Sequence, residues 1–194
     1  MTSRTPILNT YGWFFQPSPL ANSTQKRWLI RTGALTEGLR ELGGLDLVVL
    51  TESIQTPQAD ERLRLQTEPQ QPAWVREVLM SINGVPAVVA RSLTPLAVSR
   101  GTWRGIRQLG ARPLADLLYN DPQVQRSRFE FTRARSTQGI HQALRAANVV
   151  DLEKQSSDQL FTRRSLFVRH GKKLLVSECF LPAFWQLNKQ KKNP

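Results

Sequence analysis

The chain has 194 residues, of which 40% are hydrophobic, and a formal net charge of +12 from 27 basic and 15 acidic side chains. This length suits one domain with an ordinary core and leaves little room for two. The positive charge is concentrated in residues 100–194, with 18 basic and 7 acidic side chains, against 9 and 8 in residues 1–99. Such a basic chain first suggests a polyanionic partner.

The sequence lacks the residues and motifs that define several classes of protein, and these classes are therefore excluded. Cys179 is the only cysteine, and His141 and His170 are too distant from it for the spacing of zinc ligands. Apolar runs fall far short of the ~20 residues that span a bilayer, and the N-terminus lacks the apolar core of a secretory signal. Gly-rich phosphate loops and the motifs of serine and zinc hydrolases are missing. We therefore expect a cytoplasmic protein with no metal site and no stable membrane insertion.

The first half of the chain begins with an irregular arm, residues 1–23, that carries several aromatic side chains. Hydrophobic spacing then predicts a helix interrupted at Gly33 and four strands. In chain order these elements are the helix Gln25–Leu42 and the strands Leu45–Ile54, Arg62–Gln66, Trp74–Ile82 and Val85–Leu93.

The second half contains predicted helices at Val98–Leu109, Pro113–Tyr119 and His141–Ala147, the last within the polar stretch Ser136–Asp158. Its predicted strands are Gln125–Arg135, Leu160–Arg169 and Lys173–Leu181. The last two are expected to form a closing hairpin with a turn at His170-Gly171. A basic tail, residues 187–194, is expected to be disordered. Hairpins with intervening helices and no linker indicate one α+β domain with an antiparallel sheet over residues 24–186.

Asn83-Gly84, between two β-rich runs, is typical of a two-residue hairpin loop. If Ile82 lies opposite Val85, then Arg76 lies directly opposite Arg91, and both share one otherwise apolar face. Like charges in that position destabilise a sheet unless anions neutralise them, and guanidinium groups suit carboxylates. The alternative is that this face is exposed and both arginines are solvated.

Glu178 is the only acidic residue of the last predicted strand, and its neighbours on the same face are apolar. We therefore expect a desolvated carboxyl group, which suits a proton donor or a partner for a substrate hydroxyl. The alternative is a structural ion pair with a nearby arginine: Arg163, Arg164 or Arg169. Two arginines and one carboxyl group over a sheet suit a compact dianion that bears a hydroxyl. Elimination or rearrangement of such a molecule needs only binding, orientation and electrostatics.

Four motifs in the same order resemble those of the chorismate pyruvate-lyase family. They are Trp74-Val-Arg76-Glu, Ala90-Arg91-Ser-Leu-Thr-Pro95 after the hairpin loop, Leu109-Gly-Ala-Arg-Pro-Leu114 and Ser177-Glu178-Cys-Phe-Leu-Pro182. Phe161-Thr-Arg-Arg-Ser165 also resembles a family segment, although Thr162 stands where the family has glycine. The resemblance runs from about Trp28 to Trp185, and Ser136–Asp158 is longer than the corresponding family stretch.

The resemblance implies a single antiparallel sheet with helices packed on one side and an enclosed active site. It implies conversion of chorismate to 4-hydroxybenzoate and pyruvate without a cofactor, as the first step of a ubiquinone or plastoquinone pathway. It further implies that Arg76 binds the ring carboxylate, that Arg91 acts on the enolpyruvyl carboxylate and that Glu178 acts at the ring hydroxyl. Leu114 and Leu35 would contact the substrate, with Leu35 at a position where the family often has Met.

Two other functions remain as alternatives. The first is a non-catalytic effector-binding module of the same fold, but only about 25 residues precede the first predicted helix, too few for a helix-turn-helix domain. The second is nucleic-acid binding, but no known motif is present and the basic residues are scattered. We expect a monomer whose partners are chorismate and 4-hydroxybenzoate, and no nucleic acid.

Overall fold

The computed structural model describes residues 8–9, 11–152 and 159–190. Over these residues, nine strands form one sheet in which all paired strands run antiparallel. The strands are β1 (Leu8–Asn9), β2 (Trp13–Phe14), β3 (Leu45–Gln55), β4 (Ala73–Ile82), β5 (Val85–Pro95), β6 (Gln125–Arg126), β7 (Glu130–Arg133), β8 (Phe161–Arg169) and β9 (Lys172–Phe180). Their order across the sheet is β1-β2-β7-β8-β9-β5-β4-β3, with β6 paired to β8.

Seven α-helices accompany the sheet in the described part of the chain. They are α1 (Ser23–Ile30), α2 (Leu35–Arg40), α3 (Ala59–Leu65), α4 (Leu96–Arg100), α5 (Ala115–Tyr119), α6 (Ile140–Ala147) and α7 (Pro182–Gln190). A 3₁₀ helix covers Arg104–Gln108. Each of these helices is too short or too polar to cross a lipid bilayer.

The two predicted hairpins are confirmed, and both turn through residues with positive φ. Asn83 and Gly84 have φ of 49° and 78°, and His170 and Gly171 have φ of 48° and 72°. These angles belong to the two-residue turn that matches the twist of antiparallel strands. Because Asn and His enter this region more readily than most residues and Gly has no Cβ, both sequence signals identify the turns correctly.

The predicted strand Arg62–Gln66 is wrong, because Arg62–Leu65 lies in helix α3 and Gln66 is the residue that ends this helix. The helix begins where the Gln58 backbone N–H donates to Glu61 Oε2 at 2.9 Å, as in a capping box. Leu65 is buried and Leu63 is half exposed, so the alternating Arg and Leu residues do not form the two faces of a strand. The predicted strand Gln125–Arg135 is also interrupted and becomes the two short strands β6 and β7.

The arm and the tail both contribute regular structure. Within the arm, β1 and β2 extend one edge of the sheet, and Trp13 is fully buried with Nε1 donating to Asp60 Oδ2 at 3.0 Å. Helix α7 continues to Gln190, inside the segment expected to be disordered, while residues 191–194 lie outside the described residues. The predicted helix His141–Ala147 is confirmed as α6, and residues 153–158 of the same stretch are not among those described.

Helices cover both faces of the sheet, so the expectation of helices on one side is wrong. On the first face, Trp28 of α1 and Leu39 of α2 cluster with Phe180 of β9. On the second face, Leu65 of α3 clusters with Leu93 of β5, and α6 packs beside them. Successive residues of a strand alternate between these faces, so adjacent side chains enter different environments.

Candidate active site

A pocket lies on the first face of the sheet, between strands β4, β5, β8 and β9 and helices α2 and α5. Its empty volume is about 640 Å³, a figure that includes the space open toward solvent. Its charged lining residues are Arg76, Arg126, Arg163 and Glu178, and most of the others are apolar. A few charged groups among apolar side chains are typical of a pocket that orients one small polar ligand.

Four of the five predicted site residues line this pocket: Arg76, Leu35, Leu114 and Glu178. Leu35 begins helix α2, and Leu114 precedes helix α5, so the two leucines approach from the covering helices. Arg76 and Glu178 project from β4 and β9 in the sheet below them. The fifth residue, Arg91, is not part of the pocket lining.

Arg76 is held in place by three acceptors on two sides. Its Nε donates to Glu52 Oε1 at 3.0 Å, and its Nη2 donates to the carbonyl oxygens of Gly110 at 2.8 Å and Arg112 at 3.1 Å. Burial lowers the pKa of Arg76, and Glu52 opposes that shift. Nη1 has no acceptor among the described residues, so this fixed guanidinium group keeps a donor for a bound anion.

Glu178 is paired with Arg163, the first of the three arginines named as alternatives. Arg163 Nε donates to Glu178 Oε2 at 2.6 Å, and its Nη1 donates to the carbonyl oxygens of Trp28 and Arg31 at 3.1 and 2.8 Å. Arg163 therefore joins β8 to the C-terminal end of α1, where carbonyl groups lack partners within the helix. The Glu178 side chain retains 18% exposure, so the ion pair leaves part of its carboxylate accessible.

Arg126 and Tyr119 are pocket residues that sequence reasoning missed. Arg126 Nη1 donates to Tyr119 Oη at 2.9 Å, and Tyr119 Oη donates to the Gly33 carbonyl oxygen at 2.7 Å. The Arg126 guanidinium carbon lies 3.6 Å from the centre of the Phe129 ring. Neither residue belongs to a quoted motif, and no periodic pattern in the sequence marks either of them.

The predicted alignment of Arg76 with Arg91 is wrong because β5 contains a bulge. Ser81 pairs with Pro86, but the next pair is Met80 with Val88, which leaves Ala87 as the extra residue. From there on the register is shifted by one residue, which places Arg91 opposite Glu77 and on the second face of the sheet.

Arg91 is fully buried in an ion-pair cluster on that second face. Its Nε and Nη2 donate to Glu61 Oε1 and Oε2 at 2.7 and 3.1 Å, and its Nη1 donates to Glu77 Oε1 at 2.5 Å. Burial alone disfavours the charged guanidinium, but Glu61 and Glu77 outweigh it and raise the pKa of Arg91. Its charge is thus satisfied within the protein, away from the pocket.

The adjacent arginines Arg163 and Arg164 are likewise divided between the two faces. Arg164 Nε donates to Glu130 Oε2 at 2.6 Å, and its Nη1 lies 3.3 Å from Asp60 Oδ2 on the second face. Burial raises the pKa of Asp60, with Glu61 adding to the rise and Arg164 opposing it. No group of three His, Cys, Asp or Glu side chains suited to a metal ion occurs in the described part of the chain.

Sequence comparison identifies close similarity along most of the chain. The family model described as chorismate lyase matches residues 13–190. A probable chorismate pyruvate-lyase of Bordetella avium is 44% identical over 186 residues, covering 96% of this chain and 91% of that protein. The probable chorismate pyruvate-lyase of Bordetella pertussis is 47% identical over 183 residues, covering 94% and 95%. A probable chorismate pyruvate-lyase 1 of Pseudomonas entomophila is 35% identical over 182 residues, with the same coverage.

Comparison with solved structures supports the α+β fold. PhnF from Mycobacterium smegmatis aligns with a TM-score of 0.52 and 11% identity, over 79% of this chain and 65% of that one. The effector domain of PhnF aligns with a TM-score of 0.50 and 11% identity, over 86% and 92%. At this level of identity the likeness concerns the fold alone.

Proposed function

Because the chain belongs to the chorismate lyase family, we propose that it is a chorismate pyruvate-lyase that converts chorismate to 4-hydroxybenzoate and pyruvate. The observation that carries this proposal is the pocket that brings Arg76, Glu178, Leu35 and Leu114 together. The match covers nearly all of this chain and nearly all of the relatives, so the proposal concerns the whole enzyme.

The chemistry of chorismate defines what the pocket has to do. The molecule carries a ring carboxylate, a ring hydroxyl and an enolpyruvyl ether with a second carboxylate. In the reaction, the bond from C3 to the ether oxygen and the C4–H bond break, and the ring becomes aromatic. The hydrogen from C4 is balanced by a new hydrogen on the enolpyruvyl methylene, which becomes the pyruvate methyl group. No electrons are gained or lost overall, so the protein's task is to bind, orient and stabilise charge.

We assign the ring carboxylate to Arg76. This guanidinium is buried, is fixed by Glu52 and two backbone carbonyls, and keeps Nη1 available at the pocket. An arginine fixed in this way loses little conformational freedom when an anion binds. The same carboxylate is present in 4-hydroxybenzoate, so Arg76 would bind substrate and product alike.

We assign the ring hydroxyl to Glu178. Its Oε2 accepts from Arg163, and its side chain remains partly exposed in the pocket. A carboxylate oriented by a guanidinium group is suited to accept a hydrogen bond from a hydroxyl. Leu35 and Leu114 would cover the apolar face of the ring from the two helices above it.

The two covering segments are linked to each other. The hydrogen bond from Tyr119 Oη to the Gly33 carbonyl joins the end of α5 to the turn between α1 and α2. We propose that these segments enclose the substrate, which would exclude water while the ether bond breaks. We also propose that the enzyme acts as a cytoplasmic monomer and that its product enters a ubiquinone or plastoquinone pathway.

The direct test is turnover of chorismate by the purified protein. We expect equimolar 4-hydroxybenzoate and pyruvate, measured by chromatography and by a lactate dehydrogenase assay, at rates far above those of a buffer control. Because chorismate decomposes slowly in water, the control must use the same chorismate stock. Binding of 4-hydroxybenzoate without any turnover would contradict the proposal and would instead indicate a ligand-binding module.

A further inference from the structure

We propose that Arg126 binds the enolpyruvyl carboxylate of chorismate, the carboxylate that leaves with pyruvate, and that Tyr119 positions Arg126 for this contact. The inference rests on the proposed function, which supplies the two-carboxylate substrate. It replaces the role that the family resemblance gave to Arg91.

The pairing of charges in the pocket singles out Arg126. Arg76 has Glu52 as its acidic partner, and Arg163 has Glu178. Among the described residues, Arg126 forms no ion pair with any carboxylate. The pocket therefore contains one cation whose charge the protein does not balance directly, and such a group in a half-buried site favours an anionic ligand.

The local packing holds the Arg126 guanidinium in place. One of its amino groups, Nη1, donates to Tyr119 Oη. The guanidinium carbon lies 3.6 Å from the centre of the Phe129 ring and 5.8 Å from the centre of the Phe167 ring. Nε and Nη2 have no acceptor within the ranges that the structure describes. An arginine stacked on an aromatic ring and bound at one amino group keeps a pair of donors in a fixed geometry, which suits a carboxylate.

The electrostatic surroundings of Arg126 also favour an added anion. Burial lowers the pKa of Arg126, and the positive charge of Arg163 lowers it further, while Tyr119 and Glu178 act in the opposite direction. A carboxylate at Arg126 would offset both the loss of solvent and the repulsion from Arg163.

The two carboxylates of the substrate can be distinguished by ligand binding, because the product carries one and not the other. The ring carboxylate remains on 4-hydroxybenzoate, whereas the enolpyruvyl carboxylate is absent from that product. If Arg76 binds the first and Arg126 the second, loss of Arg126 weakens binding of the substrate but not of the aromatic product. Arg91 cannot take the second carboxylate in this structure, because Glu61 and Glu77 occupy it on the other face of the sheet.

The test compares two ligands that do not react. One is 4-hydroxybenzoate, and the other is 3-(carboxymethoxy)-4-hydroxybenzoate, which adds a carboxylate on an ether beside the hydroxyl. Arg126→Met is expected to weaken binding of the dicarboxylate by about 10- to 100-fold, as for loss of a charge-assisted hydrogen bond. Its affinity for 4-hydroxybenzoate is expected to change by less than about twofold. Calorimetry measures both affinities, and retained binding of 4-hydroxybenzoate shows that the variant is folded.

Two further variants make the test specific. Arg128→Met is the matched control, because Arg128 is exposed two residues away and is expected to leave both affinities and turnover unchanged. Tyr119→Phe removes the hydroxyl that holds Arg126, and we expect it to raise KM for chorismate about 3- to 10-fold with kcat changed less. Arg126→Gln, which keeps a donor for Tyr119, is expected to behave as Arg126→Met does.

Equal weakening of both ligands, or of neither, in Arg126→Met and Arg126→Gln would overturn the inference. The binding experiment does not depend on turnover by the wild-type protein. A wild-type protein that makes no 4-hydroxybenzoate would refute the proposed function, while selective loss of the dicarboxylate would still support the contact with Arg126.

Discussion

Arg91 lies opposite Glu77 across strands β4 and β5, with 2.5 Å between Nη1 and Glu77 Oε1. The one-residue bulge at Ala87 produces this pairing. It converts an expected pair of like charges in the pocket into a pair of opposite charges on the other face. The two arginines of the hairpin therefore have different roles: Arg76 faces the pocket, and Arg91 joins the sheet to α3 through Glu61.

Arg91→Met is expected to reduce the free energy of unfolding by about 3–5 kcal/mol, because it leaves the buried Glu61 and Glu77 without their counter-ion. Urea denaturation measures this loss. Binding of 4-hydroxybenzoate by the folded fraction should remain within about twofold of wild type. The reverse result, weak ligand binding with unchanged stability, would contradict this prediction and would show that Arg91 acts on the substrate, as the family resemblance implied.

Arg76→Met, in contrast to Arg91→Met, is expected to impair ligand binding and turnover. Loss of the buried guanidinium should reduce turnover of chorismate at least about 100-fold and weaken binding of 4-hydroxybenzoate about 10- to 100-fold. Steady-state kinetics and calorimetry measure the two effects. Arg104→Met, which removes an exposed arginine, is the control. An unchanged affinity for 4-hydroxybenzoate would show that Arg76 does not bind the ring carboxylate.

Glu178→Gln separates the two roles that the sequence leaves open. If Glu178 only accepts a hydrogen bond, the amide can still accept from the ring hydroxyl and from Arg163. We then expect kcat to fall by less than about tenfold, with weaker binding of 4-hydroxybenzoate. If Glu178 relays a proton, kcat falls at least about 100-fold. The ion pair with Arg163 favours the first outcome, and single-turnover kinetics distinguish them.

Local signals in the sequence were sufficient for the elements that depend on local physics. Asn83-Gly84 and His170-Gly171 define two turns, and the strands next to them follow from their apolar composition. The hairpin register could not be predicted in the same way. On both sides of Ala87 the strand is apolar on each face, so inserting one residue exposes no polar group and changes no visible pattern.

The site was predictable only in part for a related reason. Arg76 and Glu178 lie in strands whose alternation assigns them to a face, and the family motifs mark both. Arg126 acts through its neighbours Tyr119 and Phe129, which come together only in the folded chain. The strand predicted at Arg62–Gln66 is wrong because the Arg-Leu alternation is typical of a strand, whereas the capping box of Gln58 and Glu61 at the start of α3 is seen only in the structure.

Gly139→Ala is expected to destabilise the protein by about 1–3 kcal/mol, the usual cost of overpacking a core. A Cβ at this position would lie 2.0 Å from Glu61 Oε1, and Glu61 is fixed by Arg91. The free energy of unfolding is measured by denaturation for Gly139→Ala, for Glu61→Ala and for the double variant that carries both substitutions. The comparison gives the coupling energy between the two residues. The cost of Gly139→Ala should be smaller when Glu61 is absent. An equal cost in both backgrounds would locate the strain elsewhere.

The Cys179 thiol is fully buried, and burial raises its pKa to about 12 from 9.0. In the native protein we therefore expect a thiol reagent to label Cys179 only at the rate of unfolding.

As the pH rises, the unfolded chain releases the Cys179 thiol proton first, so the thiol stabilises the fold fully below pH 9 and loses its contribution as the pH rises toward 12. The loss should reach about 1.4 kcal/mol by pH 10. Cys179→Ala should flatten this decline in the pH dependence of unfolding, and an identical slope in both proteins would contradict the raised pKa.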